Sequence, residues 1–578
     1  MWSASSLLTR RGGVLLALLL LLSFITMMSD AASSSSYRSQ TGWWDEVTSL
    51  PGYRTQNGSS TLPSRMFSGY VNLSSDHNVL PPALTDATSM FMHYFMFTAE
   101  DTSTPAPTIV WWNGGPGASS AWGLFVENGP LLLTEESVLS EEDVQQLILN
   151  PYRWTKHANL IAFCNPPPIG FSYCLPAGPT GNGTACGTWN DTRVGIVDAE
   201  AIRIVVSDHF PALAQHPIYF MGESYAGVYI GETVQWMLSN PTTFAPVLAK
   251  LAGVALGDAC LGSDVLCGGA SGPYPTLLFF YGHGQVSTEL WNWLLTQCTT
   301  TELNGRTQSA TCTAAINKIY DAVGGYYAYN LVDQCTSDAF SSSRSVSQKE
   351  RRQKNAAAAE LVASSTALGS TIPIPEENGY WCPGQIFFEY FDRADARTAT
   401  FVPLNSTFFN ADDGEGMSYV YNSLSVMPAI TALLLNRNPA INQGRPVHVW
   451  AFDGDEDPSV NIFSTQEAWW KYATSQTFQK TKEWSSWVIN GSTIVGGYST
   501  EWLNGTLSFV SIRGSGHMVA EYKPASALAF LQSFLKGTSL PPYVAPPPSM
   551  EGRRRRKNKR TSVNARRRFP SSGLSKDL

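Results

Sequence analysis

Residues 219–230 of the 578-residue chain read YFMGESYAGVYI, and they decide the fold into which we place the rest of the sequence. The apolar residues that lead into Gly222 predict a buried β-strand, and those after the serine predict a helix. Ser224 would lie on the sharp turn between them, where Gly222, Ala226 and Gly227 leave room and the hydroxyl stands exposed above a sheet. The alternative is an ordinary serine at a helix N-cap.

Short apolar segments rich in β-branched and aromatic residues recur along the chain and predict further strands. Helical patterns separate them, for example at 198–209. This alternation predicts an α/β protein with a mostly parallel central sheet. The predicted strands are 70–72, 91–97, 108–112, 159–163, 218–221, 253–256, 448–452 and 507–512.

The middle of the chain interrupts this alternation, because it is rich in cysteines and loops and is helical only in patches such as 287–298. We expect it to form a largely helical, disulfide-containing cap insertion. Its Ser-, Ala- and Lys/Arg-rich stretch at 341–365 is typical of an exposed loop that proteases excise. The predicted divisions are a signal peptide at 1–32, a first core part at 33–259, the cap at 260–427, a second core part at 428–545 and a basic disordered tail at 546–578.

The N-terminus predicts export. Arg10 and Arg11 precede a 12-residue apolar run at 14–25, which is short for a membrane span. The small residues Ala31 and Ala32 offer a cleavage point. The alternative is a signal anchor, and we expect no membrane segment after removal of the signal. The final SKDL resembles an ER-retention signal. Seven Asn-x-Ser/Thr sequons predict a glycoprotein, at Asn57, Asn72, Asn182, Asn190, Asn405, Asn490 and Asn504.

Nine cysteines lack the paired C-x-x-C pattern of zinc sites, which favours disulfides in an oxidising compartment. Sequence proximity leaves Cys164 without a partner. The same criterion pairs Cys174 with Cys186, Cys260 with Cys267, Cys298 with Cys312, and Cys335 with Cys382.

The charge is unevenly distributed. The net charge is −8, yet residues 551–578 hold eleven Lys or Arg and two acids, which leaves the preceding chain near −17. An acidic body argues against nucleic acid as the main partner. The basic tail is either a targeting or interaction arm or a processed extension.

A serine hydroxyl needs a base to become a nucleophile, and the chain order for this turn is serine, acid, histidine. His517 follows the predicted strand at 507–512 in a glycine-rich loop. The acid should follow the strand at 448–452, where the residues alone leave Asp453, Asp455 and Asp457 open. Calcium binding by these acids is disfavoured, because their spacing fits no twelve-residue calcium loop. Backbone N–H groups for an oxyanion would come from Tyr225 and from the glycine-rich turn at 114–117.

Four motifs occur in this order: WWNGGPGASS at 111–120, GESYAG at 222–227, GDED at 454–457 and GHM at 516–518. Together they resemble the serine carboxypeptidases of the carboxypeptidase Y and lysosomal protective type, from about residue 70 to about 535. The resemblance implies an α/β-hydrolase fold and a protein that is secreted or delivered to lysosomes or vacuoles.

The resemblance also implies roles for individual residues. It resolves the acid as Asp457, beside the nucleophile Ser224 and the general acid/base His517. It makes Gly115 and Tyr225 the oxyanion donors. A substrate's terminal carboxylate would be held by Asn113, Trp111, Glu127 and Glu223, and its side chains by Trp122, Val126, Val460 and Met518. Without the family pattern, we would interpret Glu127 as a plain surface or helix-end acid.

Ionisation of two neighbouring carboxyl groups is unfavourable, so one of Glu127 and Glu223 should be protonated. The protonated carboxyl can donate a hydrogen bond to the anionic C-terminus of a substrate. The sequence therefore predicts a serine carboxypeptidase acting on peptide or protein C-termini at acidic pH. It predicts no cofactor and no metal, and it leaves a homodimer open. The alternatives are an esterase or acyltransferase with the same triad, or a protective scaffold for other hydrolases.

The sequence departs from the family pattern at several positions. Ala118 stands where a disulfide cysteine is usual, and residues 164–168 read CNPPP. Val460 replaces a frequent free cysteine, and the segment VAEY at 519–522 is less apolar than usual. None of these positions belongs to the predicted triad.

Overall fold

The computed structural model describes residues 42–544 except for 56, 74–88, 102, 104, 135–136, 138–144, 180–181, 268, 270–271, 334–382, 412–413 and 490–491. The predicted signal peptide, the loop at 341–365, the basic tail, SKDL, Cys335, Cys382 and Asn490 lie outside the described residues. None of the described helices combines the length and apolar character that crossing a bilayer requires.

Sixteen strands occur in the described part of the chain. They are β1 Glu46–Val47, β2 Met66–Asn72, β3 Ser89–Phe97, β4 Thr108–Trp112, β5 Leu131–Leu132, β6 Ile148–Leu149, β7 Asn159–Phe163, β8 Tyr173–Leu175, β9 Trp189–Asn190, β10 Ile218–Glu223, β11 Leu251–Gly257, β12 Tyr419–Val420, β13 His448–Gly454, β14 Lys480–Val488, β15 Val495–Trp502 and β16 Leu507–Ile512.

One large sheet organises the molecule, with the strand order β1-β2-β3-β7-β4-β10-β11-β13-β16-β15-β14 and with β8 beside β3. The six central strands from β7 to β16 run parallel, and antiparallel strands extend the sheet at both edges. The predicted mostly parallel α/β sheet is therefore confirmed. Because the central strands are parallel, their carboxyl ends meet at one edge.

Thirteen α-helices are described. They are α1 Asp191–Ile204, α2 Ala226–Ser239, α3 Ala245–Leu248, α4 Tyr274–Gly282, α5 Thr288–Gln297, α6 Thr300–Leu303, α7 Ala310–Val323, α8 Pro383–Asp392, α9 Ala394–Ala399, α10 Met427–Leu434, α11 Ile462–Ser475, α12 Val519–Tyr522 and α13 Pro524–Lys536. The helix predicted at 198–209 corresponds to the end of α1 and a π-helical turn, Val205–His209.

The alternation of side chains along β10 shows why its sequence is apolar throughout. Ile218 and Phe220 face one hydrophobic core with α1, α2 and α10, whereas Tyr219 and Met221 face a second core with α13. Both faces of the strand are therefore buried, as in sheets covered by helices on both sides.

The eight predicted strands all coincide with observed strands. Of the eight strands that were not predicted, six have only two or three residues, and the two long ones are β14 and β15. The reason is visible in β14. Six of its first seven residues are charged or carry a hydroxyl group, and four of the seven are exposed, so the sequence shows no apolar alternation.

Three of the four predicted disulfides are confirmed: Cys174–Cys186, Cys260–Cys267 and Cys298–Cys312. Cys164 is free and buried, as expected. Helices α4, α5 and α7 enclose a separate small core that includes the Cys298–Cys312 bridge. The segment between the two core parts thus has packing of its own.

Candidate active site

Ser224 occupies the turn between β10 and α2. Its φ of +63° is the left-handed conformation, which costs energy for any residue other than glycine. The turn is closed by hydrogen bonds from Ser224 N to Gly257 O at 2.9 Å and from Gly227 N to Ser224 O at 3.1 Å. The strained residue is thus held at the carboxyl edge of the sheet, half-buried.

Steric contacts explain the small residues around Ser224. A Cβ added to Gly222 would lie 2.5 Å from Trp112 O, and one added to Gly227 would lie 2.1 Å from Cys260 O. Both are backbone atoms that cannot easily yield. The position of Ala226, the second glycine of the usual pattern, accepts a methyl group, and its Cβ is buried.

Asp457 and His517 form a buried pair beside this turn, with 2.6 Å between Asp457 Oδ2 and His517 Nδ1. Asp457 also accepts hydrogen bonds from Ser459 N at 2.8 Å and Val460 N at 3.2 Å. These amides hold the carboxylate towards the imidazole. Ser224, Asp457 and His517 follow β10, β13 and β16, three strands whose carboxyl ends lie on one edge.

The two other aspartates of this segment have different contacts. Asp453 accepts a hydrogen bond from Thr465 Oγ1, and Asp455 accepts one from Gly514 N. Asp457 is the one of the three that lies against His517 in the structure.

The cap reaches the histidine loop. His517 N donates to Tyr329 O at 2.8 Å, and the two rings lie 5.0 Å apart between centroids. Leu331 N donates to Glu456 O at 2.9 Å, next to Asp457 in the chain. The cap therefore contacts the loops of both members of the Asp457–His517 pair.

The predicted oxyanion donors lie on two segments in contact. A Cβ added to Gly114 would lie 2.4 Å from Tyr225 N and 2.7 Å from Ser224 Cβ. Gly115 follows with a φ of +106°, which favours glycine. The glycine-rich turn after β4 thus packs directly against the backbone amide that follows Ser224.

Asn113 joins the two predicted carboxylate-binding acids. Its Nδ2 donates to Glu127 Oε1 at 2.8 Å and to Glu223 Oε1 at 2.9 Å. Its Oδ1 accepts from Trp111 Nε1 at 2.9 Å and from Gly123 N at 3.0 Å. All four predicted side chains are buried, so the structure brings this predicted set together completely.

Burial raises the pKa values of both acids. Desolvation raises the pKa of Glu127 to about 7. The pKa of Glu223 is raised well above its usual range, first by desolvation and then by repulsion from Glu127. The two carboxyl groups also act on each other directly, since a hydrogen bond between Glu127 and Glu223 contributes to the pKa values of both.

A third acid of this region, Glu521, was not predicted as a site residue. It lies on α12, which packs against the π-helical turn Gly123–Glu127. Burial and then repulsion from Glu127 raise the pKa of Glu521 well above its usual range. The departure from the family at 519–522 was the available signal, because it places an acid four residues after His517.

The predicted pocket residues are buried in two different clusters. Trp122, Val126 and Met518 share one hydrophobic core, in which the Trp122 ring lies 5.4 Å from that of Phe387. Val460 belongs to the other core.

Two buried aspartates close to the site, Asp198 and Asp258, were missed, whereas Asp453 had been one of the three candidates for the catalytic acid. Asp198 accepts hydrogen bonds from Trp112 Nε1 at 2.9 Å and Asn165 Nδ2 at 3.1 Å, and burial raises its pKa to about 7. Asp258 follows β11, and Asp453 is the last residue but one of β13. The only sequence signal for Asp258 was its position at the end of a predicted strand.

The sequons differ in exposure. Asn72 and Asn190 are half-buried, and the Asn190 side chain caps α1 by accepting from Arg193 N at 2.8 Å. The remaining described asparagines of this set are exposed, namely Asn57, Asn182, Asn405 and Asn504.

Comparisons with known proteins identify the family. A family model described as serine carboxypeptidase matches residues 53–537. Serine carboxypeptidase 1 of Hordeum vulgare is 27% identical over 526 residues, covering 86% of this chain and 93% of that protein. Serine carboxypeptidase-like 20 of Arabidopsis thaliana is 26% identical over 520 residues, covering 86% and 93%.

A solved structure has the same fold. Kex1Δp, a prohormone-processing carboxypeptidase from Saccharomyces cerevisiae, superposes with a TM-score of 0.58 at 17% sequence identity, covering 86% of this chain and 96% of that one. The α/β-hydrolase fold implied by the motifs is therefore confirmed. The family match spans most of the chain, and the protein belongs to the serine carboxypeptidase family of serine-type hydrolases.

Proposed function

We propose that this protein releases C-terminal amino acids from peptides at acidic pH, with Ser224, Asp457 and His517 as its catalytic triad. The observation that carries the proposal is the buried Glu127–Asn113–Glu223 group beside the Ser224 turn. A nucleophile alone supports many hydrolytic reactions, whereas a site for a free carboxylate selects the chain end.

The chemistry follows from the arrangement of the residues. His517 accepts the proton of Ser224 Oγ as the oxygen attacks the last peptide carbonyl, and Asp457 orients and stabilises the imidazolium. The amides of Gly115 and Tyr225 stabilise the oxyanion. The C–N bond then breaks, His517 protonates the leaving amino acid, and water hydrolyses the acyl-enzyme.

The acid pair accounts for the pH range. Below pH 7 the Glu127 carboxyl is largely protonated, because burial raises its pKa to about 7. A protonated carboxyl donates a hydrogen bond to the substrate's terminal carboxylate, whereas an ionised one repels it. Hydrolysis of free-acid peptides should therefore fall as the pH rises through 7.

The proposal includes delivery through the secretory pathway to a lysosome, a vacuole or the exterior. The three disulfides support passage through an oxidising compartment. The predicted signal peptide would direct the chain into the secretory pathway, and the sequons would be glycosylated there.

The test is hydrolysis of an N-blocked dipeptide and of its C-terminal amide at about pH 5, with and without a serine-directed inhibitor. We expect release of the terminal amino acid from the free acid, loss of activity with the inhibitor, and no activity in Ser224→Ala. Cleavage of non-peptide esters alone, or transfer of the acyl group to an added acceptor instead of water, would contradict peptidase function. Protection of another hydrolase by Ser224→Ala would reveal a scaffolding role.

A further inference from the structure

Asp258 is a buried acid close to the Asp457–His517 pair. It follows β11, next to the strand that leads to Asp457, and its side chain is fully buried. One side-chain oxygen or nitrogen from each of Asp258, Asp457 and His517 lies within 4.8 Å of the others. Asp258 therefore belongs to the immediate surroundings of the pair.

Reciprocal hydrogen bonds connect Asp258 to the end of β13. Its Oδ1 and Oδ2 accept from Gly454 N at 2.9 and 3.2 Å. In return, Asp258 N donates to Phe452 O at 2.9 Å and to Asp453 Oδ1 at 3.2 Å. Gly454 begins the turn that carries Asp457, so Asp258 anchors the first residue of that turn.

Asp258, Asp453 and Asp457 cannot all be ionised at the same time. Asp258, Asp453 and Asp457 are each at most 1% exposed. In the part of the chain that the structure describes, neither Asp258 nor Asp453 forms an ion pair with lysine or arginine. Three adjacent carboxylates facing one imidazole would be strongly unfavourable, and a fourth acid, Glu223, also faces Asp258.

The hydrogen bonds indicate which group keeps its charge. Asp457 accepts from two backbone amides and from His517, a set that stabilises an anion. Burial raises the pKa of Asp453 to about 8. Burial and then repulsion from Asp453 raise the pKa of Asp258 well above its usual range.

We propose that Asp258 is a positioning residue for Asp457 and His517, and that it acts as a neutral acid. The inference rests on the proposed function, since it concerns the same catalytic pair. A neutral Asp258 holds Gly454 without placing a second negative charge next to His517. Ionisation of Asp258 would favour the imidazolium, which cannot accept the proton of Ser224.

The kinetic test uses an ester substrate without a free carboxylate, so that Glu127 and Glu223 do not limit the pH range. We expect Asp258→Ala to lower kcat about tenfold or more with little change in KM, because the anchor of the Asp457 turn is lost. Asp258→Asn should recover most of that loss, and its alkaline limit should lie at higher pH than that of the wild type because the amide cannot ionise. Asp264→Asn, an exposed aspartate in an ion pair with Arg306, is the matched control.

An alkaline limit in Asp258→Asn that coincides with the wild type would overturn the inference. So would wild-type kinetics in Asp258→Ala. A wild type without inhibitor-sensitive ester hydrolysis would instead overturn the proposed function, and the protonation of Asp258 would then be decided by unfolding.

The unfolding test compares Tm of Asp258→Asn and the wild type between about pH 4.5 and 8. If the pKa of Asp258 is higher in the folded protein than in the unfolded chain, the free energy of unfolding of the wild type falls as the pH rises above the unfolded pKa. Asparagine does not titrate, so Asp258→Asn does not lose this stability. The Tm difference in favour of Asp258→Asn should therefore grow with pH. A difference that stays constant would show that Asp258 is not a buried neutral acid, and it would overturn the inference.

Discussion

Glu223 and Ser224 are adjacent in the chain but belong to different parts of the site. Glu223 is the last residue of an extended strand, and its side chain is buried against Asn113. Ser224 has a positive φ, which turns the chain and separates the directions of the two side chains. One strand end therefore supplies both the proposed nucleophile and part of the proposed carboxylate site.

Glu127→Gln tests the role of the acid pair in pH dependence. Glutamine still accepts the hydrogen bond of Asn113 Nδ2 but cannot ionise, and Glu223, whose pKa is raised first by desolvation, becomes the limiting group. We expect the alkaline limit of free-acid peptide hydrolysis to move to higher pH. The measurement is the pH profile of kcat/KM.

The profile for the peptide amide should not move, and Glu467→Gln, which changes an exposed glutamate, serves as the control. If the free-acid profile of Glu127→Gln falls at the wild-type pH, Glu127 does not control binding of the chain end.

At the scale of elements, the site depends on close contact between backbone segments. The turn after β4 packs against the start of α2, and the cap residue Tyr329 binds the backbone of the histidine loop. Such contacts leave no room for side chains, so glycine is required where two segments meet.

Gly114→Ala should lower kcat about 100-fold, because its Cβ would displace the Tyr225 amide, and loss of one oxyanion donor has an effect of this size. Steady-state kinetics with an ester substrate measure the loss, and circular dichroism checks folding. Gly325→Ala is the matched control, since a Cβ there meets nothing within 4 Å. A kcat for Gly114→Ala close to that of Gly325→Ala would contradict the oxyanion role.

At the scale of the whole molecule, buried acids are concentrated around the carboxyl edge of the sheet. Their pKa values are all raised, mainly by desolvation: Glu127, Asp198, Glu223, Asp258, Asp453 and Glu521. In the unfolded chain such groups ionise near pH 4. Folding therefore takes up protons at neutral pH.

The sign of the effect on stability follows. Each acid with a raised pKa lowers the free energy of unfolding as pH rises from about 4 to its folded-state pKa. Burial lowers the pKa of His93 to about 3, so His93 makes the free energy of unfolding rise with pH. This effect is confined to pH values below about 6.5, where the unfolded histidine is protonated. We therefore expect Tm to fall by about 2–5 °C between pH 6.5 and 8.

Differential scanning calorimetry measures this change, and Asp198→Asn should show a smaller fall. A Tm that rises over this range would show that the acids are ionised in the folded protein.

The proposed excision at 341–365 also concerns the whole molecule. The three described disulfides all join cysteines that precede this segment, whereas β11 before it pairs with β13 after it. The sheet would therefore hold two fragments together after cleavage, and the predicted Cys335–Cys382 bond would join them covalently.

We expect two bands on a reducing denaturing gel of the native protein and one without reductant. A single band under reducing conditions would contradict excision. Two bands without reductant would contradict the Cys335–Cys382 pairing.

Much of the fold and of the proposed site could be predicted from local patterns. Apolar runs predicted the central strands because both faces of each are buried, and small residues around Ser224 predicted the sharp turn. The motifs at Asn113, Glu223 and His517 lie within a few residues of strand ends, so a linear pattern suffices to find them.

The tertiary structure alone decided which distant groups meet. Asp258 and Glu521 have no motif, and their importance arises because strands and helices distant in sequence enclose them beside other acids. Desolvation and charge repulsion depend on which groups lie close together in space. The sequence alone does not contain these distances. The same reason explains why β14 and β15 were missed: their pairing depends on a neighbouring strand edge rather than on an apolar pattern of their own.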